Sequence, residues 1–216
     1  ASSTLNMASS DNGTVAFGLT GNNTYNIGGI TGSKNLAIGG NSLSVGANNS
    51  NSTYSGQIGG IGSLTKTGTG TLTMSGANNY SGGTTISAGK LAGTTTAIQG
   101  AVVNNAAVEF NQSSNGTYAG AMSGTGALVK NGAGAITLTA ANSYTGGTIV
   151  NNGATLTLTP LAPGVGTGAS QVVIPLAATP ANGLVINGGA VAFGGTNNFG
   201  LIAAGNQVTI NGSGTL

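Results

Sequence analysis

The sequence contains no cysteine, histidine, arginine or tryptophan, and only six of its 216 side chains are charged. Without cysteine there are no disulfides and no thiolate chemistry. Without histidine a Ser-His-Asp triad is excluded, and metal sites of the common kinds lack their ligands. We therefore expect no metal, no cofactor and no enzymatic activity. Four scattered lysines also do not form the basic patch that a nucleic-acid-binding protein needs.

Carboxylate side chains are even fewer than lysines. Asp11 and Glu109 are the two acidic residues, and about a hundred positions separate them in the sequence. Glycoside hydrolysis requires two carboxyl groups close together in space, so we interpret both residues as solvated charges. No apolar run reaches the length of about 18 residues that a membrane-spanning helix needs, and we expect no transmembrane segment.

What the sequence does contain is glycine, 42 residues of it, and a slightly positive mean hydropathy of +0.21. Disordered chains usually combine low hydropathy with high net charge, and this chain has neither. A sequence with so little charge has to bury its apolar groups in a regular way to remain soluble.

An internal repeat organises the chain. Residues Thr53–Gly89 align without a gap with Thr117–Gly153, and 17 of the 37 positions are identical. A second phrase recurs as "VAFGLTGNNTY" (Val15–Tyr25) and "VEFNQSSNGTY" (Val108–Tyr118). Repetition at a fixed period is typical of solenoids, in which each unit packs on its neighbour.

The repeated phrases read as short strands. Segments such as "TLTMS" and "AITLTA" alternate apolar residues with Thr or Ser, and Gly, Asn and Gly-Gly separate them. We therefore predict an all-β fold, a parallel β-solenoid (β-helix) of nine or ten coils with roughly 20–25 residues each. A β-sandwich or barrel is the alternative, but sandwich strands do not normally repeat in sequence.

The solenoid is expected to be a single domain over residues 1–216. All four prolines lie in residues 159–184, and proline cannot donate a ladder hydrogen bond. We interpret 159–184 as an excursion from the solenoid or a less regular lobe.

Alternation also assigns the faces of the strands. The apolar residues of the two repeats should point inward and stack as columns, each contributing about 1.5–3 kcal/mol when fully buried. They are Leu64, Leu72, Met74, Ile86, Leu91, Leu128, Ile136, Leu138, Val150, Leu156 and Leu158. Asn at repeated corners can stack as amide ladders.

The block "GANNYSGGTTI" recurs as "AANSYTGGTIV". We expect its Tyr to pack at a coil edge, its Gly-Gly to form the corner and its Thr to start the next strand. With no reactive chemistry nearby, the repeat is interpreted as scaffold. The scaffold residues are Leu64, Lys66, Leu72, Tyr80, Gly82, Gly83, Leu128, Lys130, Ile136, Tyr144, Gly146 and Gly147.

The segment Gly62–Leu91 resembles the passenger-associated repeat of autotransporter proteins. The resemblance lies in the pattern Leu-x-Lys-x-Gly-x-Gly-x-Leu-x-Leu, here with Met74 in the last position, and in the tail Asn-x-Tyr-x-Gly-Gly-Thr. The second copy matches the same pattern from Leu128 to Thr148. This resemblance implies a right-handed parallel β-helix, extracellular or on the bacterial cell surface, in a passenger serving adhesion, aggregation or display. It implies no enzymatic activity.

Three functional hypotheses remain. The leading one is an extracellular structural protein that self-associates with other copies, end to end, into a filament or cohesive matrix, because an uncapped coil end exposes unpaired backbone groups. Its expected subunit contacts are Val172, Val173, Ile174, Val208, Ile210 and Leu216.

The alternative is an adhesive passenger fragment that binds cell-surface glycans or proteins. The third is ice or glycan binding by a Thr/Asn face, suggested by Thr71/Thr73, Thr137/Thr139 and Thr155/Thr157/Thr159. Because these Thr pairs do not recur once per coil, ordinary outward-facing threonines are the preferred interpretation.

Overall fold

Short parallel strands, joined by tight corners, make up the described chain in the computed structural model. The structure describes residues 3–8, 14–18, 22–159, 183–193 and 208–216. Within these residues the chain forms 24 strands and no helix. The contacts divide it into two compact units, Ala1–Ala107 and Val108–Leu216.

The strands of the first unit are two to four residues long, as expected for segments that end at Gly and Asn corners. They are β1 (Thr4–Met7), β2 (Val15–Ala16), β3 (Thr24–Ile27), β4 (Gly29–Gly32), β5 (Leu36–Gly39), β6 (Ser42–Val45), β7 (Ser52–Tyr54), β8 (Ile58–Gly60), β9 (Leu64–Lys66), β10 (Thr71–Met74), β11 (Asn79–Tyr80), β12 (Thr84–Ile86), β13 (Lys90–Gly93) and β14 (Val102–Asn104).

The strands of the second unit are of similar length, and the first of them begins at the last residue of the first unit. They are β15 (Ala107–Asn111), β16 (Gly116–Tyr118), β17 (Met122–Ser123), β18 (Ala127–Asn131), β19 (Ile136–Leu138), β20 (Thr148–Asn151), β21 (Thr155–Leu158), β22 (Leu184–Asn187), β23 (Ala190–Phe193) and β24 (Val208–Asn211).

Every third strand along most of the first unit joins the same parallel sheet. The three sheets are ordered β1-β4-β7-β10-β13, β2-β5-β8-β11 and β3-β6-β9-β12-β14. In the second unit, one sheet is ordered β15-β18-β20-β22-β24 and another β16-β19-β21-β23. Strands that return to the same sheet in parallel after one circuit define a β-solenoid, and the predicted fold class is confirmed.

The described residues form about eight turns, near the nine or ten of the prediction. Leu128 pairs with Thr148, a circuit of ordinary length, but Thr148 pairs next with Leu184. The circuits therefore differ in length along the chain.

The proline-containing segment 159–184 falls within that long circuit. Most of it, residues 160–182, lies outside the described residues, so the excursion stays a prediction. The single solenoid domain over 1–216 also stays a prediction.

The core consists of the inward columns that alternation predicts. All eleven apolar residues assigned to it are at most 1% exposed, which confirms their orientation. Successive turns place residues of the same type next to each other: Leu43 pairs with Leu64, and Leu72 pairs with Leu91. At about 25 cal/mol per Å² of buried apolar surface, these columns are the main stabilising contribution.

The second repeated phrase also has a packing role. Phe17 and Tyr25 stack with ring centroids 4.3 Å apart, and Phe110 and Tyr118 pack tilted at 4.9 Å. Both pairs combine the Phe and the Tyr of the same phrase. The second pair is buried, whereas the first is half-buried. The recurrence of the phrase therefore corresponds to a recurring contact between its Phe and its Tyr.

Candidate functional site

The polar side chains of the repeated Tyr-x-Gly-Gly-Thr corner form hydrogen bonds within the protein. Tyr80 is 1% exposed, and its hydroxyl lies 2.8 Å from the hydroxyl of Thr84 at the start of β12. The amide of Gln99 donates to Tyr80 Oη at 3.2 Å, and Thr84 donates to the Gln99 carbonyl at 3.0 Å. In the second copy, Tyr144 Oη lies 2.6 Å from Thr148 Oγ1. The polar groups of this motif are therefore engaged with each other.

The glycines of this corner are required by close approach and by backbone conformation. A Cβ on Gly82 would lie 2.7 Å from the carbonyl carbon of Gly62, and a Cβ on Gly146 would lie 2.3 Å from that of Gly126. The next residue in the first copy, Gly83, has φ of +83°, which non-glycine residues rarely adopt.

The side-chain oxygen of the motif's Asn accepts a hydrogen bond from a backbone amide at the coil edge, in place of a backbone carbonyl. The amide N–H of Ile58 donates to Asn78 Oδ1 at 2.7 Å, and that of Met122 donates to Asn142 Oδ1 at 2.8 Å. Each acceptor lies one turn after its donor. A buried donor without a partner costs about 1–3 kcal/mol, so this Asn stabilises the stack where the ladder is interrupted.

The repeat register predicts that Lys66 and Lys130 belong to the scaffold, and the structure places both in the interior, at most 1% exposed. Lys66 Nζ donates to the carbonyls of Thr67 at 2.5 Å, Gly68 at 2.8 Å and Ala88 at 3.3 Å. Removal from water disfavours the charged form, so burial lowers the pKa of both lysine ammonium groups.

The two lysines occupy positions that apolar residues hold in neighbouring turns. Lys66 pairs with Val45 on one side and Ile86 on the other, and Lys130 pairs with Val150. The alkyl chain therefore extends an apolar column. In the second copy, Lys130 Nζ donates to Asn131 and to Gly132, the latter at 2.7 Å. Neither ammonium is presented to solvent.

Burial also shifts the pKa of three tyrosine hydroxyls. Desolvation by burial raises the pKa of Tyr54 to about 12, and it raises the pKa of Tyr80 and of Tyr144. Tyr54 Oη donates to the Lys34 carbonyl at 2.5 Å. These hydroxyls act as hydrogen-bonding groups of the corners, and none is activated for nucleophilic attack.

The interpretation of the carboxylates as two solvated charges is wrong for Glu109, which is 7% exposed on β15. The strand places it on a covered face, which alternation within the phrase did not reveal. Asp11 lies outside the described residues. Across the described part of the chain, no three His, Cys, Asp or Glu side chains cluster as metal ligands, and no helix is long and apolar enough to cross a membrane.

An amide ladder follows one corner of the second unit. Asn151 donates to Asn131 at 2.7 Å, Asn187 donates to Asn151 at 3.1 Å, and Asn211 donates to Asn187 at 2.9 Å. The predicted stacking of Asn at repeated corners is confirmed. Each of these three hydrogen bonds joins the amides of two successive turns, which fixes the register of the turns.

Threonines form a row on another face of this unit. Thr117, Thr137 and Thr157 are in register on β16, β19 and β21, and Ala192 follows on β23. The row extends over three successive turns, which the separate Thr-x-Thr pairs of the sequence did not reveal. Its ice- or glycan-binding capacity stays a prediction.

The predicted subunit contacts fall into two groups. Val208 is 38% exposed, Ile210 47% and Leu216 57%. The other three, Val172, Val173 and Ile174, lie outside the described residues. In the first unit Ile61 is 77% exposed at a corner, and Val103 is 42% exposed on β14. The role of Val208, Ile210 and Leu216 as subunit contacts stays a prediction.

Comparison with known proteins relates the chain to one repeat family. Residues 64–92 and 128–158 match the family described as passenger-associated-transport-repeat. The chain is 35% identical over 241 aligned positions to the adhesin BmaC autotransporter of Brucella suis biovar 1 (strain 1330). The alignment covers 94% of this chain and 7% of that relative, so the chain spans a small part of the relative's length. No solved structure matches the chain.

Proposed function

Because the chain is an autotransporter passenger repeat protein with two such repeats, we propose that it is a non-catalytic adhesive segment of a bacterial cell-surface passenger. The relative that covers most of the chain is named an adhesin. In this proposal the solenoid holds outward-facing side chains at a regular spacing, and these side chains contact glycans or proteins of another cell.

The observation that carries the proposal is the burial of the repeat's polar groups. Lys66, Tyr80 and Asn78, the residues that could have supplied chemistry, are buried and hydrogen-bonded to the chain itself. The repeats therefore build a scaffold and leave recognition to the outward faces. In this proposal Ile61 and Val103, two exposed apolar residues among the described residues of the first unit, are among the outward side chains that contact the partner.

Surface display tests adhesion directly. The chain is displayed on a non-adherent bacterium, and attachment to cultured host cells is counted against the same bacterium displaying an unrelated solenoid. Attachment should rise with the chain, and Ile61→Ser with Val103→Thr should reduce it while circular dichroism stays unchanged. Attachment no greater than that of the unrelated solenoid would contradict the proposal.

Self-association is a second candidate. Val208 pairs in parallel with Leu184 and Ile210 with Ile186, and both Val208 and Ile210 are more than a third exposed. Exposed apolar side chains on a strand are candidate contacts with a strand of another copy. A copy stacked there would bury these side chains and extend the solenoid into a filament or cohesive matrix.

Electron microscopy and sedimentation velocity of the purified chain distinguish the two candidates. Self-association predicts elongated particles whose length grows with concentration, and Val208→Lys with Ile210→Lys should abolish growth. Isolated short particles at high concentration would rule out this second candidate without affecting the adhesion proposal.

A further inference from the structure

Five Asn-Gly pairs lie within the described residues, and this dipeptide is prone to a spontaneous reaction. The backbone nitrogen after an Asn can attack its side-chain amide carbon, and glycine has no side chain to hinder the approach. The reaction needs a free amide and a mobile following nitrogen. The pairs are Asn115-Gly116, Asn131-Gly132, Asn152-Gly153, Asn187-Gly188 and Asn211-Gly212.

In four of the pairs the Asn amide is held by the solenoid. Asn115 Oδ1 accepts from the Ala135 amide at 2.8 Å, while the Gly116 amide donates to the Ala135 carbonyl at 2.9 Å. The other three Asn belong to the amide ladder defined above. Rotation of any of these amides toward the next backbone nitrogen breaks at least one hydrogen bond, which opposes the reaction.

The pair Asn152-Gly153 differs from the other four in that its Asn amide lacks such a hydrogen bond within the described part of the chain. Both residues are exposed in a turn between β20 and β21 that the Ala154 amide closes by donating to the Asn151 carbonyl at 3.0 Å. Gly153 has φ of +73°, and no atom of the described residues lies within 4 Å of the place where its Cβ would be, as is also the case at Gly212. Neither the Asn152 side chain nor the Gly153 amide is hydrogen-bonded to any residue that the structure describes.

We propose that Asn152 is a site of spontaneous deamidation that converts it to aspartate and isoaspartate. The Gly153 nitrogen forms a bond to Asn152 Cγ, the Cγ–Nδ2 bond breaks, and ammonia leaves with the proton lost by the attacking nitrogen. The product is a five-membered succinimide. Solvent water then adds to either of its carbonyl carbons, and ring opening leaves a free carboxylate on an aspartyl or an isoaspartyl residue.

The modification changes the surface more than the fold. One neutral amide becomes one carboxylate, so the formal net charge falls from +2 to +1. The new charge lies next to Asn151 of the amide ladder, on a chain whose other described carboxylate, Glu109, is buried. Since no ladder hydrogen bond passes through Asn152 or Gly153, the turn accommodates the longer isoaspartyl backbone. This inference goes beyond adhesion and does not depend on it.

Mass-spectrometric peptide mapping of the full chain during prolonged incubation at neutral pH tests the proposal. The conversion of an amide to an acid should accumulate at Asn152 several-fold faster than at any of the other four pairs. Labelling with a protein isoaspartyl methyltransferase should locate isoaspartate at the same residue. Equal rates at all five pairs, or faster conversion at Asn115, would overturn the proposal.

Two controls separate the role of the fold from that of the dipeptide. In denaturant all five pairs should react at similar rates, because the hydrogen bonds that protect four of them are lost. Asn152→Gln should abolish the fast-reacting site while the circular dichroism spectrum remains that of the parent chain. Persistence of the same selectivity in denaturant would contradict a structural origin.

Discussion

The hydroxyl groups of Tyr144 and Thr148 lie 2.6 Å apart, and both side chains are at most 1% exposed. The corner Gly146-Gly147 turns the chain between them, so that two buried hydroxyls satisfy each other. Tyr80 repeats this arrangement with Thr84 at 2.8 Å. The conserved spacing within the two copies of the motif thus corresponds to one hydrogen bond that closes a corner of the solenoid.

Removing one hydroxyl of this pair should destabilise the fold. Tyr144→Phe keeps the ring but leaves the Thr148 hydroxyl without its partner, and we expect a loss of about 1–3 kcal/mol in the free energy of unfolding. Thr148→Val should cost a similar amount. The double variant should lose less than the sum, because the second change removes the unsatisfied group. Chemical denaturation of the four proteins measures the coupling, and strict additivity would show that the hydroxyls do not interact.

Glycine at the corner should be irreplaceable for steric reasons. Gly146→Ala places a Cβ 2.3 Å from the carbonyl carbon of Gly126, and relief of such a clash typically costs about 1–3 kcal/mol or more. Gly18→Ala is the control, since its Cβ meets no atom of the described residues closer than 3.9 Å, and it should change stability by less than about 0.5 kcal/mol. Thermal or denaturant unfolding compares them, and equal effects would be inconsistent with the predicted clash.

Lysine burial predicts a rise of stability with pH. Burial lowers the pKa of Lys66 and of Lys130 below the ordinary value of 10.5. Between the lowered pKa and 10.5 the unfolded chain binds more protons than the folded chain, so the free energy of unfolding should increase with pH in this window. Replacing both residues by Met should remove the rise, whereas Lys34→Met should retain it. Denaturation curves across this window measure the slope, and an unchanged slope in the double variant would contradict the assignment.

Tyrosine burial acts in the opposite direction at higher pH. The pKa of Tyr54 is raised from 10.0 to about 12 by desolvation. The unfolded chain loses this proton first, so the stabilisation present below pH 10 should be lost as pH rises toward 12. Absorbance of the phenolate should appear together with unfolding in the parent chain. Tyr54→Phe should weaken the pH dependence, and phenolate formation well before unfolding would argue against it.

The Thr row of the second unit should not bind ice measurably. Thr117, Thr137 and Thr157 form a single short row that ends at Ala192. Three residues present a small area, and we expect no thermal hysteresis in solutions of the purified chain. Hysteresis that disappears in Thr137→Val but persists in Thr65→Val, on β9 of the first unit, would contradict this expectation.

Much of the fold could be predicted because solenoid periodicity is local. Period-two alternation alone placed Leu72 and Leu138 inward, and repetition indicated stacking of parallel turns. Lys66 follows Leu64 by two positions on the same strand, so alternation also carried the signal for its burial. Lysine usually stays in water unless its charge is paired, which argues against burial when only the sequence is considered. The sequence does not show the carbonyl groups that accept hydrogen bonds from Lys66, because one of them lies 22 residues away.

The sequence by itself determined the parallel β-solenoid, its inward columns and its glycine corners, because these depend on side-chain alternation and on backbone conformations that adjacent residues set. Only the tertiary structure decided the number of turns, the burial of Glu109 and the partners of Asn78 and Tyr80. Those features depend on which residue of the next turn lies opposite, and the variable length of each circuit conceals that register from the sequence.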